Sequence, residues 1–236
     1  MKVCPTLAKK WRAGWRPAAA LFDLDGTLVQ TEHITKQTLE HMIGRWSSLD
    51  TVNINFAYAG RSWFDLANDV VTQTGLDMPL PDVAAKLANY YESIAIDQVM
   101  EVHGASHFVH SLRELEIPMA VVTASTRSFT DQAIDKLGLP TLIPPTRCVT
   151  DDDVQRSKPH PEGYLKAADL VGLQPRACTV FEDSVPGMRA AQAAGCQVIG
   201  VLAHATAPAA LQRQAAGWIY DFASLSEIAV TTVSAS

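Results

Sequence analysis

LFDLDGTLV, residues 21–29, ends an apolar run with two carboxylates two positions apart, then a glycine, then a hydroxyl. Successive strand side chains alternate faces, so Asp23 and Asp25 begin on the same side, where Gly26 lets the backbone turn sharply. Two acids held this close repel each other. A hydrophobic core gains nothing from that arrangement, whereas a bound cation or a reacting phosphate does. Residues 18–24 read as a buried strand, which puts the acids at its carboxyl end.

Beyond this turn the periodicity becomes helical. EHITKQTLEHMIGRW (32–46), SWFDLANDVVTQTG (62–75) and PDVAAKLANYYESIAIDQVM (81–100) space their apolar residues at three and four. Ser62 followed by Asp65 resembles a capping box, Gly75 a helix stop and Pro81 a first-turn residue. At helical spacing, Trp63, Tyr90 and Tyr91 read as packing residues of this block. After Gly104 helices alternate with short apolar strands: PMAVVTA (118–124), a weak strand near CVT (148–150), CTVFED (178–183), CQVIGV (196–201) and WIY (218–220). Continuous apolar strands separated by helices imply a parallel sheet covered on both faces.

The expected fold is therefore α/β, a doubly wound, Rossmann-like parallel sheet interrupted after its first strand by an all-helical insert. The corresponding division is a tail at 1–17, a core at 18–29 and 101–236, and a helical cap at 30–100. Ligands of such sheets bind at the carboxyl ends of the strands, so the insert lies over the expected site.

The chain has 236 residues, 47% hydrophobic and 19% charged, enough for a substantial core in one domain or one domain plus an insert. A formal net charge of −6 discourages nucleic acid and anionic membrane as partners, so an anionic substrate needs a local positive site. No run reaches transmembrane length. Cys4, Cys148, Cys178 and Cys196 lack metal-ligand spacing and read as free thiols in a reducing, cytoplasmic setting. The N-terminus carries Lys9, Lys10, Arg12 and Arg16, yet cleavage after it would remove the first strand, so it reads as a mobile or loosely docked tail. A monomer is the default expectation.

Several strands end in polar residues on the same sheet edge: Asp23 and Asp25, then Thr123 and Ser125, then Glu182, Asp183 and Ser184. Lys158 in RSKPHP lies at a helix start on a connection between strands. Acid, hydroxyl and cation around one point are what phosphoryl transfer requires: a nucleophile, a proton shuttle, a metal and donors for the non-bridging oxygens.

In this order, DLDGT, a strand-ending Thr or Ser, a Lys before a helix and a late acidic pair resemble the four motifs of the haloacid dehalogenase superfamily. The helical insert resembles its small-capped branch of sugar-phosphate phosphatases and β-phosphoglucomutase-like mutases. The likeness runs from Ala20 to about Val201, and the ordered set is far more specific than any one motif.

The resemblance implies a Mg²⁺-dependent phosphatase acting on a small phosphorylated metabolite, a sugar or sugar-acid phosphate, through an aspartyl-phosphate. It makes Asp23 the nucleophile and Asp25 the acid for the leaving alkoxide and then the base for water. Thr123, Ser125 and Lys158 hold phosphate oxygens. Asp183 ligates Mg²⁺ with Asp23 and the backbone carbonyl of Asp25, while Glu182 supports the metal shell or orients Lys158. Dehalogenases of the superfamily lack the second aspartate, so Asp25 argues for phosphate chemistry. A mutase passing the phosphoryl group to a bound sugar is the rival enzyme. A silent binding protein is the rival from another class, against which the intact acid and lysine set speaks.

In the insert, Gly60, Arg61 and Ser62 match the place of a substrate-specificity loop. Arg61 has two readings: a planar fork for a hydroxyl or second phosphate, or a helix-start arginine in water. Glu32 and His33 stand at the cap entrance, and Lys86 is a candidate cap cation. Relatives commonly carry an acid where Gln30 stands here. Asp151, Asp152 and Asp153 read as a solvated acidic loop.

Overall fold

The computed structural model describes residues 2–46 and 58–226; the parts of the expected cap and core at 47–57 and 227–236 lie outside them. The central strand is β1 (Ala19–Phe22), built from AALF and buried throughout. It pairs in parallel with β4 (Met119–Val122) on one side and β6 (Cys178–Glu182) on the other. With β5 (Cys148–Val149), β7 (Gln197–Val201) and β8 (Gly217–Ile219) these form a six-stranded parallel sheet in the order β5-β4-β1-β6-β7-β8. The order reverses across β1, so the crevice of this α/β sheet opens at the carboxyl end of that strand.

Alternation along β1 divides the core into two layers. Ala20 and Phe22 face α5 (Ala105–Glu114) and α6 (Arg127–Lys136), whereas Ala19 and Leu21 face α7 (Glu162–Val171) and α8 (Val185–Ala194). Phe22 stacks on Phe181 at 5.2 Å between ring centres, and Phe108 stacks on Phe222 at 5.1 Å. This aromatic block anchors the strand whose end carries the acids.

Between β1 and the rest of the sheet lie three helices, α2 (Glu32–Trp46), α3 (Trp63–Thr74) and α4 (Leu80–Gln98). Ser62 caps α3, its hydroxyl accepting from the Asp65 N–H at 3.2 Å, and Gly75 ends the helix in the left-handed region at φ 67°. Leu39, Met42, Ile43, Ala67, Val70, Val83 and Leu87 form the cap's own core. The connections into and out of the cap run side by side as a short antiparallel pair, β2 (Val29–Gln30) and β3 (Met100–Glu101), which the sequence pattern did not predict. Gln30 sits in this pair, its side chain donating to the Glu101 carbonyl at 2.7 Å. Two residues per strand are too few for a hydrophobic periodicity to register.

The N-terminal segment differs from the loosely docked tail expected of it. Pro5–Arg12 forms a helix, α1, which buries Leu7 and Trp11, and Val3 bridges Ile219 at the edge of the sheet. The Trp11 ring lies 5.8 Å from that of Phe108, and the Arg16 guanidinium stands 4.1 Å from the Trp11 ring centre. Its basic residues dominated the sequence reading, while its apolar stripe is one turn long and finds a partner only in the folded sheet. Trp11→Ala should therefore cost about 3–5 kcal/mol in urea unfolding, the usual range for losing a buried Trp; a loosely docked segment would lose well under 1 kcal/mol.

Candidate active site

Five carboxyl groups converge on the end of β1. Asp23 follows the strand directly and is held by its N–H donating to the Phe181 carbonyl on β6 at 3.0 Å. Lys158, 6% exposed, donates to Asp23 Oδ1 at 2.5 Å and to Glu182 Oε2 at 2.9 Å. Burial alone would lower the lysine's pKa, but Asp23 and Glu182 outweigh it and raise the value, so the ammonium is fixed. Tyr164 donates to Glu182 Oε2 at 2.5 Å, and Ser184 fills Glu182 Oε1 through its N–H at 3.1 Å and its hydroxyl at 2.7 Å. Both oxygens of Glu182 are thus engaged, which favours its role as orienter of Lys158 over that of metal ligand.

The ammonium leaves negative charge over. Burial, then Glu182 and Asp25, push the Asp23 carboxyl up to about 8 against the pull of Lys158, and burial with Asp25 and Asp23 pushes Glu32 up to about 8. Burial and the neighbouring acids also raise Asp183 well above the carboxylate range. Asp183 Oδ1 accepts from Thr27 at 3.2 Å, but among the described residues no N–H or hydroxyl donates to its buried Oδ2, which has the Glu32 carboxyl as its neighbour. One carboxylate oxygen from each of Asp23, Glu182 and Asp183 lies within 4.8 Å of the others. Gly26, at φ 84°, passes so close that an added Cβ would stand 2.2 Å from Asp183 Oδ2. An orphaned carboxylate oxygen, clustered hard donors and surplus negative charge fit a divalent metal held by Asp23 and Asp183.

Asp25 faces the cleft with all its accepting capacity in use. Thr31 Oγ1 donates to its Oδ1 at 2.8 Å and Tyr91 Oη to the same atom at 3.3 Å. Thr123 Oγ1 and Ser125 Oγ donate to Oδ2 at 3.0 and 2.7 Å. The hydroxyls expected at the end of β4 therefore meet the acids of β1.

Above them lies a cleft of about 440 Å³, partly open to solvent, between the strand ends and the cap. Glu32, Gly60, Arg61, Trp63 and Tyr91 line it. Gly60 presses on the core so closely that an added Cβ would stand 2.2 Å from Ser184 Oγ. Arg61 reaches the cleft wall, with its guanidinium donating to Asp69 at 2.5 Å and to the Asp65 carbonyl at 3.2 Å. Ser62, expected to face substrate, instead spends its hydroxyl on the α3 cap and lies outside the cleft lining. Lys86 is exposed and also lies outside that lining.

In the acidic loop Asp152 and Asp153 are exposed, as expected, and they also have partners. Asp152 accepts from the Arg127 N–H at 2.6 Å, and Asp153 takes the Arg127 guanidinium at 2.5 Å and the Thr150 N–H at 2.8 Å. These residues tie the end of β5 to α6. Tyr91 and Tyr164 were missed as members of the site: helical spacing marks Tyr91 as a packing residue, and nothing local shows where either hydroxyl ends.

Residues 20–201 match the family profile described as haloacid dehalogenase-like hydrolase. Validoxylamine A 7'-phosphate phosphatase of Streptomyces hygroscopicus subsp. limoneus is 31% identical over 77% of this chain and 84% of its own. Hexitol phosphatase A of Escherichia coli K12 is 30% identical over 80% and 84%. A haloacid dehalogenase family hydrolase of Deinococcus radiodurans, solved with bound phosphate and sodium, superposes with a TM-score of 0.66 at 30% identity, covering 92% of this chain and 95% of its own. The chain belongs to the haloacid dehalogenase-like hydrolases. Within that family it is a phosphatase, a phosphoric monoester hydrolase.

The charge surplus gives a pH signature in metal-free protein. Asp23, Glu32 and Asp183 have folded-state pKa values raised above their unfolded ones, so the neutral acid is favoured on folding. Their contribution is fully present below about 4 and lost as pH rises toward about 8 for Asp23 and Glu32. In EDTA the Tm should fall across that window, and millimolar Mg²⁺ should restore it at pH 8. Asp183→Asn should abolish the metal-dependent rise; a full rise in that variant would remove Asp183 from the metal site.

Proposed function

We propose that the protein is a Mg²⁺-dependent phosphatase of small sugar or polyol phosphates, working through an aspartyl-phosphate on Asp23. The observation carrying this reading is the buried Asp23–Lys158–Glu182 array beside the orphaned oxygen of Asp183, with Asp25 and its hydroxyls across the cleft. Relatives named for validoxylamine A 7'-phosphate and for hexitols support a polyhydroxylated substrate. The cleft agrees with that choice: half-buried Trp63 offers apolar surface to a sugar's C–H groups, and Glu32 and Arg61 add polar groups to the lining for its hydroxyls.

A carboxylate oxygen of Asp23 attacks phosphorus, and the ester P–O bond breaks as Asp25 gives its proton to the departing alkoxide. Water then attacks the aspartyl-phosphate, Asp25 takes the proton, and inorganic phosphate leaves with Asp23 restored. Lys158 and the hydroxyls of Thr123 and Ser125 hold the non-bridging oxygens. A Mg²⁺ ion held by Asp23, Asp183 and the backbone carbonyl of Asp25 would neutralise charge on the phosphoryl group. The closed cap, with Gly60 against Ser184, limits water at the first step.

A panel of hexitol, hexose, sugar-acid and glycerol phosphates, with and without Mg²⁺, tests the reading by released phosphate. Turnover should need Mg²⁺, and Asp23→Asn should lower it by at least about 10⁴-fold while keeping the fold, since the covalent route depends on that one carboxylate. Isomer in excess of free phosphate from a hexose 1-phosphate primed with bisphosphate would favour the mutase. Silence on the whole panel would favour a binding protein.

A further inference from the structure

We propose that Tyr91, a residue of the cap, positions the general acid: its hydroxyl anchors Asp25 Oδ1 so that Oδ2 faces the leaving group. The inference rests on the phosphatase reading above and adds to it the group that joins cap seating to proton transfer.

The four donors around Asp25 divide by task. Thr123 and Ser125 sit on Oδ2 and are the hydroxyls assigned to the phosphate. A bound phosphoryl group competes for them and frees Oδ2 on the side where the ester oxygen departs. Thr31 and Tyr91 sit on Oδ1 and carry no such second duty, so they keep the carboxyl from rotating when Oδ2 is released. Thr31 belongs to the chain leaving β2, whereas Tyr91 reaches Asp25 across 66 residues from α4.

Tyr91 is built to hold that place. It is 1% exposed, with its ring 5.0 Å from Trp63 at the start of α3 and 5.0 Å from Phe129 on α6. Tyr91 and Ala95 belong to the main core and not to the cap's own cluster, so α4 bridges the two bodies. The next residue, Glu92, accepts from Thr126, which caps α6, and Lys136 donates to the Ile96 carbonyl. Moving the Tyr91 hydroxyl away from Asp25 therefore means lifting α4 from α6. A phenylalanine would fill the same space, so the hydroxyl is the part that packing leaves unexplained. In the first step the proton goes from Asp25 Oδ2 to the ester oxygen as its bond to phosphorus breaks, and Tyr91 keeps its own proton throughout.

The test is Tyr91→Phe, read as kcat/KM on two esters, glycerol 1-phosphate and p-nitrophenyl phosphate. The phosphoenzyme is the same from both, so kcat/KM isolates the first transfer. A p-nitrophenolate leaves without a proton, whereas an alkoxide needs one. Loss on the alkyl ester should exceed loss on the aryl ester by at least about tenfold, a fraction of what a whole general acid contributes. Asp25→Asn should show the same selectivity to a greater degree. Equal losses on both esters would assign Tyr91 to packing or cap closure and overturn the proposal, as would no loss on either. Wild-type protein inert on both esters would overturn the phosphatase reading, and this proposal with it.

Discussion

One buried ammonium facing a surplus of carboxylates is the constraint around which this structure is organised. Lys158 reaches Asp23 and Glu182 at once in a buried site, where each interaction is far stronger than at the surface and an unpaired charge far more costly. Tyr164 and Ser184 exist in this site to complete Glu182, so that Glu182 can hold the lysine and the lysine can hold Asp23. The charge left over on Asp23, Asp183 and Glu32 makes the site a receptor for a cation and, through it, for a phosphate.

The apolar architecture serves that polar point. Layers of Phe, Val, Ala and Leu on both faces of β1 hold the strand rigidly, so the residues just past its end have little freedom. The cap adds the opposite wall. Its helices pack on one another through Leu39, Val70 and Leu87, but α4 also enters the main core through Tyr91 and Ala95. Among the described residues the cap meets the core at the β2–β3 pair, at the α4–α6 contact and where Gly60 presses on Ser184.

Net charge and local charge act on different scales here. A chain of formal charge −6 repels anions at a distance, yet the cleft gathers a lysine and hydroxyl donors for one small anion. The basic N-terminal helix takes no part in that site. It covers the β8 end of the sheet, with Arg16 lying over Trp11 and donating to the carbonyls of Trp11 and Trp15.

The parallel sheet, the helical insert and the acid, hydroxyl and lysine positions were legible in the chain. Strand and helix periodicities are local, and residues at strand ends inherit their place from the strand. DLDGT placed Asp23 and Asp25 in this way, and the hydrophobic run before Glu182 and Asp183 placed those two acids. Side-chain partners were another matter, because a hydroxyl or guanidinium is assigned by whatever lies within about 3 Å of it, often a residue a hundred positions away. Only the folded chain gave Tyr91 to Asp25 and Tyr164 to Glu182, and packed Trp11 against Phe108. The sequence by itself determined the elements and the chemistry at their ends, since those depend on neighbours in the chain; the tertiary structure decided the pairings, since those depend on neighbours in space.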